Sequence, residues 1–289
     1  MSVLINKKTK IMVSGITGKE GSFHTAKMQE AGSQIVCGVT PGKGGMTHLG
    51  VPVYNTVAEA LENHSIDAAG IFVPSRVARQ AVEEAVRAGI KLSVVITEGI
   101  SPHDTLKFIS LAKKNNCRVI GPNTPGILTP GESKIGVLAT EFVKKGPVGV
   151  ISRSGTLTVE ICYYLLKNQL GQSSIIGLGG DPVVGTTFLD VYRMFEKDKN
   201  TSGIVIVGEI GGTMEEELAE YISASKSKKP TVAFIAGQNA PAGKRLGHAG
   251  AIIEGGKGSA QSKIDALSSA GVGIAAVPWE AGSLMKEML

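Results

Sequence analysis

His248 is the first residue in this 289-residue chain that combines a reactive side chain with an open setting. It stands in Gly247-His248-Ala249-Gly250-Ala251, four and three residues after the cations Lys244 and Arg245. An imidazole is nucleophilic near neutral pH, and flanking glycines keep its backbone sterically open. Taken alone, such a histidine has a plain alternative as a structural residue. Its context adds to it. Glu209 lies in Gly208-Glu209-Ile210-Gly211-Gly212, where a carboxylate can orient a second side chain. Arg153-Ser154-Gly155-Thr156-Leu157-Thr158 is a run of small residues between a strand-like and a helix-like segment. Backbone N–H groups and the helix dipole stabilise an anion at such a turn. Together these give a nucleophile, an orienter and an anion hole, and the simplest anion is a phosphoryl group. For Ser154 the competing reading is a helix N-cap without a ligand. His24, His48, His64 and His103 lack such a setting. No Gly-x-Ser-x-Gly elbow and no Walker A lysine motif appears.

A second constellation lies near the N-terminus. Gly15-Ile16-Thr17-Gly18-Lys19-Glu20-Gly21 has G-x-x-G-x-x-G spacing, close to a dinucleotide fingerprint without being identical to it. Glycines there let N–H groups approach a phosphate, and the following helix adds its positive end. A tight turn without a ligand is the alternative. NAD sites place an acid about 20 residues further on, to hold the ribose hydroxyls. Here the next strand ends Cys37-Gly38-Val39-Thr40-Pro41-Gly42-Lys43-Gly44-Gly45, with a lysine and no acid. Lys43 suits an extra phosphate on the ribose, which NADP and coenzyme A both carry; otherwise it is a solvated loop lysine. A third strand ends Val95-Ile96-Thr97-Glu98-Gly99. Glu98 could accept hydrogen bonds from an adenine or a pantetheine amide, or cap the next turn.

These residues need a scaffold that brings strand ends to one edge. Short β-rich runs alternate with helical patterns almost throughout. The expected strands are 10–14, 34–38, 70–74, 92–96, 118–120, 148–152, 174–178, 203–207, 231–235 and 273–277. Helices are expected over 22–31, 57–62, 77–88, 104–115 and 157–168, with another starting at Thr213-Met214-Glu215-Glu216, which has the form of a capping box. Near-continuous apolar strands imply burial on both faces, as in a parallel sheet sandwiched by helices. The rhythm pauses over 121–146, rich in proline and glycine. The fold class is therefore α/β with two doubly wound domains, divided into residues 1–122, a connecting arm over 123–147, and residues 148–289.

Composition excludes several classes. Hydrophobic residues make up 42% and charged residues 19%, too apolar for a disordered chain. Aromatics at 4% leave little for base stacking, and the net charge of +5 is mild, so no nucleic-acid partner is expected. The basic clusters Lys113-Lys114, Lys144-Lys145 and Lys226–Lys229 read as solvated surface. Cys37, Cys117 and Cys162 are odd in number and far apart, which suits neither a disulfide framework nor zinc. No apolar run approaches the roughly 18 residues of a membrane span. No signal or transit peptide is seen at the N-terminus, so a cytoplasmic location of bacterial or archaeal type is expected.

These segments, in this order, resemble the α subunit of succinyl-CoA synthetase (succinate–CoA ligase) along essentially the whole chain. Gly121-Pro122-Asn123-Thr124-Pro125-Gly126 and Gly179-Gly180-Asp181-Pro182 add to the match. The resemblance implies an N-terminal Rossmann-like CoA-binding domain and a C-terminal flavodoxin-like ligase domain. It places coenzyme A on Thr17, Gly18, Lys19, Glu20, Lys43, Ile96, Thr97 and Glu98. It makes His248 the phosphorylated histidine, Glu209 its carboxylate partner, and Ser154 and Gly155 the phosphate donors at a helix end. It implies a β subunit, in an αβ or α2β2 assembly, that binds ATP or GTP with Mg2+ through an ATP-grasp fold. No metal site is expected in this chain itself. In the family the NTP phosphorylates the histidine, the phosphoryl group passes to succinate, and the CoA thiol displaces phosphate. The glycines around His248 would let its loop visit two sites.

Three positions depart from the family pattern. Val159 replaces a tyrosine that helps form the carboxylate-substrate site. Residues 136–142 lack a Pro-Gly-His sequence, and Pro74-Ser75-Arg76 replaces Pro-Ala-Pro. They leave as alternatives a ligase for a related acid such as malate, or a non-catalytic CoA sensor; the glycine turn and Lys43 leave an NADP-linked oxidoreductase.

Overall fold

A computed structural model describes residues 3–225, 229–240, 247–253 and 258–289. Lys226, Lys244 and Arg245 lie outside the described residues. Contacts divide the chain into two compact units. One comprises residues 4–138 and 183–185; the other comprises Val3 and the described residues of 139–182 and 186–289.

The first unit runs β1 (Lys10–Ser14), α1 (Lys19–Glu30), β2 (Gln34–Val39), β3 (Thr47–His48), β4 (Val51–Tyr54), α2 (Val57–Asn63), β5 (Ala68–Ile71), α3 (Ser75–Arg87), β6 (Leu92–Val95), α4 (Pro102–Lys114), β7 (Arg118–Ile120), β8 (Gly126–Thr129) and β9 (Ser133–Gly136). Its main sheet has the order β3-β4-β2-β1-β5-β6-β7. Apart from the antiparallel β3–β4 pair, its strands are parallel. β5 and β6 are buried along their whole length, as their unbroken small and apolar runs require. Ala78, Val82, Ala85 and Val86 form the buried stripe of α3, and Phe108, Ile109 and Ala112 that of α4, all joining one core. Strand order reverses at β1, which is flanked by β2 and β5. In an open α/β sheet, ligands bind beyond the strand carboxyl ends at that switch point.

The proline- and glycine-rich stretch over 123–147 is more regular than its composition suggests. β8 and β9 form an antiparallel hairpin with Gly126 opposite Gly136. The two backbones approach so closely that a Cβ on Gly136 would stand 2.7 Å from the Gly126 Cα. These glycines read as loop signals, but here they permit a tight strand pair. The contact boundary falls between Leu138 and Ala139.

The second unit runs β10 (Lys145–Ser152), α5 (Gly155–Lys167), β11 (Gln172–Gly177), α6 (Phe188–Lys197), β12 (Gly203–Glu209), α7 (Met214–Ala224), β13 (Thr231–Ala236), α8 (Ala260–Ser269), β14 (Gly273–Ala275) and α9 (Glu280–Met288). Its strands are parallel in the order β14-β13-β12-β10-β11. This is the flavodoxin-like order, with the reversal at β10 between β11 and β12. α7 begins where expected, yet no capping box forms at Thr213. Thr213 Oγ1 donates instead to Glu217 Oε1 at 2.8 Å. The box appears at α6, where Thr187 and Asp190 cap each other.

Candidate functional site

In the second unit the switch point places the ends of β10, β11 and β12 side by side. β12 ends in Glu209, and β10 leads directly into Arg153 and Ser154. His248 Nδ1 donates to Glu209 Oε2 at 2.7 Å. A carboxylate can only accept, so Nδ1 carries a proton, and in the neutral imidazole the lone pair is then on Nε2. This tautomer is the one a nucleophilic Nε2 requires. The ring lies against Gly180, where any Cβ would fall inside the imidazole. The next turn is tied down by Gly250 N–H donating to Gly180 O at 3.0 Å.

Glu209 has a second neighbour. Arg153, with 2% of its side chain exposed, holds Nε 3.2 Å from Glu209 Oε1. The N–H is not aimed at that oxygen, so the contact is electrostatic, and Oε1 accepts no hydrogen bond. The guanidinium reaches carbonyls on two other loops, Gly179 and Asp181 at 3.5 Å each and Gly211 at 3.4 Å. Arg153 therefore neutralises the buried carboxylate and ties together the turns that surround it.

Ser154 is a genuine N-cap: its side chain accepts from Leu157 N–H at 3.3 Å. The cap uses one donor of α5 and leaves the N–H groups of Gly155 and Thr156, which have no intrahelical acceptor. The two readings of Ser154 are thus compatible. Arg153, Pro182, Gly212, Thr213, Met214, Gly250 and Ile252 line a cavity of about 390 Å³ at the start of α7. An anion there would meet the guanidinium and the positive end of a helix. Val159 lies on α5 and is half-buried. Having no polar side-chain atom, it can offer a substrate apolar contact only.

Two further charged residues underlie this edge. Lys263 and Glu215 are both completely buried and form a close ion pair. Lys263 Nζ also donates to Gly211 O at 2.7 Å, and Glu215 Oε1 accepts from Glu209 N–H at 3.2 Å. The pair fixes the backbone on both sides of Ile210. Lys263 falls with Ala260 and Leu267 on the buried face of α8, and Glu215 with Leu218, Ala219 and Ile222 on that of α7. A charge on an apolar stripe was the available signal for both. For Arg153 the signal was a cation directly after a buried strand.

In the first unit, α1 starts at Lys19, earlier than the spacing suggests. Its N-cap is Gly18, without a side-chain cap, so the first-turn N–H groups are open. Thr17 Oγ1 lies 3.3 Å from Thr40 Oγ1, joining the turns after β1 and β2. Thr97 Oγ1 donates to Val73 O at 2.7 Å, fixing the turn after β6. Gly18, Lys19, Glu20, Lys43 and Glu98 are exposed, and Thr17, Ile96 and Thr97 are half-buried. All eight residues follow the carboxyl ends of β1, β2 and β6, which lie on one edge of the parallel sheet. Among the described residues no group of three or more His, Cys, Asp and Glu could hold a metal ion, and no helix is long and apolar enough to cross a membrane.

Residues 6–99 match the family model of the CoA binding domain, and residues 151–273 match that of CoA-ligase. The chain is 51% identical over 289 residues to succinate–CoA ligase [ADP-forming] subunit alpha 2 of Archaeoglobus fulgidus, covering 100% of each. The chain belongs to the succinate–CoA ligase α-subunit family. The corresponding subunit from Aquifex aeolicus is 51% identical over 100% of this chain and 95% of its own. Among solved structures, ATP citrate lyase from Methanosaeta concilii in complex with (3S)-citryl-CoA superposes with a TM-score of 0.91 at 27% identity, over 99% of this chain and 50% of that one. A dinucleotide-forming acetyl-coenzyme A synthetase from Ca. Korarchaeum cryptofilum gives 0.79 at 25% identity, over 97% of this chain and 60% of that one. The α-subunit family is one of CoA ligases with a CoA-binding domain. These matches favour neither an NADP-linked oxidoreductase nor a paralogue for another acid.

Proposed function

We propose that this chain is the α subunit of an NDP-forming succinate–CoA ligase, with His248 as its phosphoryl carrier. The observation that carries the reading is the 2.7 Å contact from His248 Nδ1 to Glu209 Oε2, at a switch point with a buried arginine and open helix N–H groups. The Nε2 lone pair attacks the terminal phosphorus of ATP or GTP, and the bond to the NDP oxygen breaks. Glu209 steadies the imidazolium that forms. A succinate carboxylate oxygen then attacks phosphorus, the P–N bond breaks, and succinyl phosphate results. The CoA sulfur attacks the acyl carbon, phosphate leaves, and the thiol proton passes to phosphate or solvent. Each step is reversible. Gly155 N–H and the Ser154-capped start of α5 support the phosphoryl oxygens through backbone donors and the helix dipole.

Coenzyme A lies on Thr17, Gly18, Lys19, Glu20, Lys43, Ile96, Thr97 and Glu98 in this reading, at the strand edge the CoA-binding family model covers. NTP and Mg2+ belong to a β subunit, since the chain has no nucleotide-binding P-loop lysine motif and its relatives are named as α subunits. The bacterial and archaeal sources of those relatives support a cytoplasmic setting. In this reading the domains span residues 1–122 and 148–289, limits that enclose the family matches over 6–99 and 151–273.

The test is a thioester assay on the chain co-expressed with its β subunit, supplied with NTP, succinate and CoA. Succinyl-CoA formation that is lost in His248→Ala is expected. Undiminished turnover in that variant would contradict the reading.

A further inference from the structure

The turn that carries Lys43 is exposed from Pro41 through Gly45 and contains three glycines. A loop of this composition would ordinarily sample many conformations. Here every backbone N–H from Gly42 to Gly45 is used. Gly42 N–H and Gly44 N–H both donate to Asn55 Oδ1, at 2.9 and 3.0 Å. Lys43 N–H donates to Thr40 O and Gly45 N–H to Val53 O, each at 3.0 Å. A Cβ on Gly44 would fall inside the Asn55 amide, so that residue must be glycine for the clamp to close. Asn55 is itself held by its own N–H, which donates to Glu59 Oε2 at 2.9 Å.

This arrangement differs from a phosphate-binding glycine loop, whose amides face the ligand. The amides of this turn are turned inward, and the Lys43 ammonium is its outward-facing donor. Lys43 forms no ion pair among the described residues. The root of the turn, Thr40, meets Thr17 of the turn after β1 through their hydroxyls.

We propose that Asn55 is a positioning residue for the ribose 3′-phosphate of coenzyme A. By taking the two amides that flank Lys43, it fixes the turn so that the ammonium is presented to that phosphate before ligand arrives. The ordering cost of the loop is then met in folding rather than in binding. This rests on the reading that coenzyme A occupies this strand edge.

The test measures binding of CoA and 3′-dephospho-CoA to the full-length chain by calorimetry. Wild type is expected to prefer CoA about tenfold, the scale of one charge-assisted contact. Asn55→Ala should lose most of that preference by weakening CoA while leaving dephospho-CoA affinity in place. Lys43→Ala should do the same, and the double variant should be no worse than Lys43→Ala alone, because the two act as one unit. Gly44→Ala, which breaks the clamp from the other side, should reproduce the Asn55→Ala pattern and keeps the test open if Asn55→Ala folds poorly. Equal weakening of both ligands, no weakening, or additivity with Lys43→Ala would overturn the positioning role. Binding of neither ligand by wild type would overturn the coenzyme A reading itself, and the positioning role with it.

Discussion

In the first unit Lys19, Glu20, Lys43 and Glu98 stand exposed at the strand edge, whereas in the second Arg153 and Glu209 keep only 2% and 9% of their side-chain surface. The N-terminal edge relies on backbone form: an uncapped helix start, a clamped glycine turn, and strand ends in register. Its side chains are in water, where each charge interacts weakly and can be removed without stranding a partner. The C-terminal edge relies on matched charges out of water. There Glu209 has Arg153 and His248, and Glu215 has Lys263. Removing one member leaves another buried without compensation. The first design suits a large ligand held through many small contacts. The second suits a reaction in which charge moves at one atom and the surroundings must not rearrange.

The sharpest way to break this contrast is Glu209→Gln. It keeps the shape but lets the amide meet Nδ1 in a different hydrogen-bonding sense. Phosphorylation of His248 should slow about a thousandfold or more, measured by rapid-quench labelling. Next is Lys263→Met, which strands the buried Glu215 carboxylate and should cost about 3–5 kcal/mol in denaturant unfolding. Adding Glu215→Gln, which keeps an acceptor for the Glu209 N–H, should recover most of that loss. By contrast, Lys43→Ala in the exposed edge should raise KM for CoA about tenfold, and the NTP-driven phosphorylation of His248, which does not involve CoA, should match wild type.

The smallest effect concerns what the two units share. Burial pushes the thiols of Cys37 in the first unit and Cys162 in the second up to about 12. The folded state therefore favours the neutral thiol. Its contribution to stability is complete below the ordinary value of 9.0 and is lost as pH rises from there through about 12. Neither thiol should be alkylated at pH 8 without unfolding, as mass spectrometry after iodoacetamide treatment would show. Faster labelling of one native thiol would mean that the cores, and not only the sites, differ.

The alternating rhythm made both sheets legible, because each βα unit has a buried strand and an amphipathic helix within a few tens of residues. Glu209 and Ser154 were legible because they stand at a strand end and a helix start beside glycines, and His248 because it stands among glycines in a loop. What escaped depended on distant partners. Arg153 is one residue from Ser154 in sequence, but its role comes from Glu209, Gly179 and Gly211 on other loops. Lys263 and Glu215 lie 48 positions apart. Asn55 looks like a turn residue until its oxygen is seen to hold Gly42 and Gly44. The hairpin of β8 and β9 was hidden because its facing glycines carry the same signal as a linker. The box-like Thr213–Glu216 failed locally because Glu215 turns inward to Lys263 and Glu216 accepts from Ser262.

The central claim is that Nε2 of His248 carries the phosphoryl group. The most direct measurement is 31P and 15N NMR of the assembled enzyme, labelled in histidine and trapped with NTP in the absence of CoA. The account predicts one phosphoramidate signal coupled to Nε2 of His248. A phosphoryl group on Nδ1, on another residue, or on no residue of this chain would contradict it.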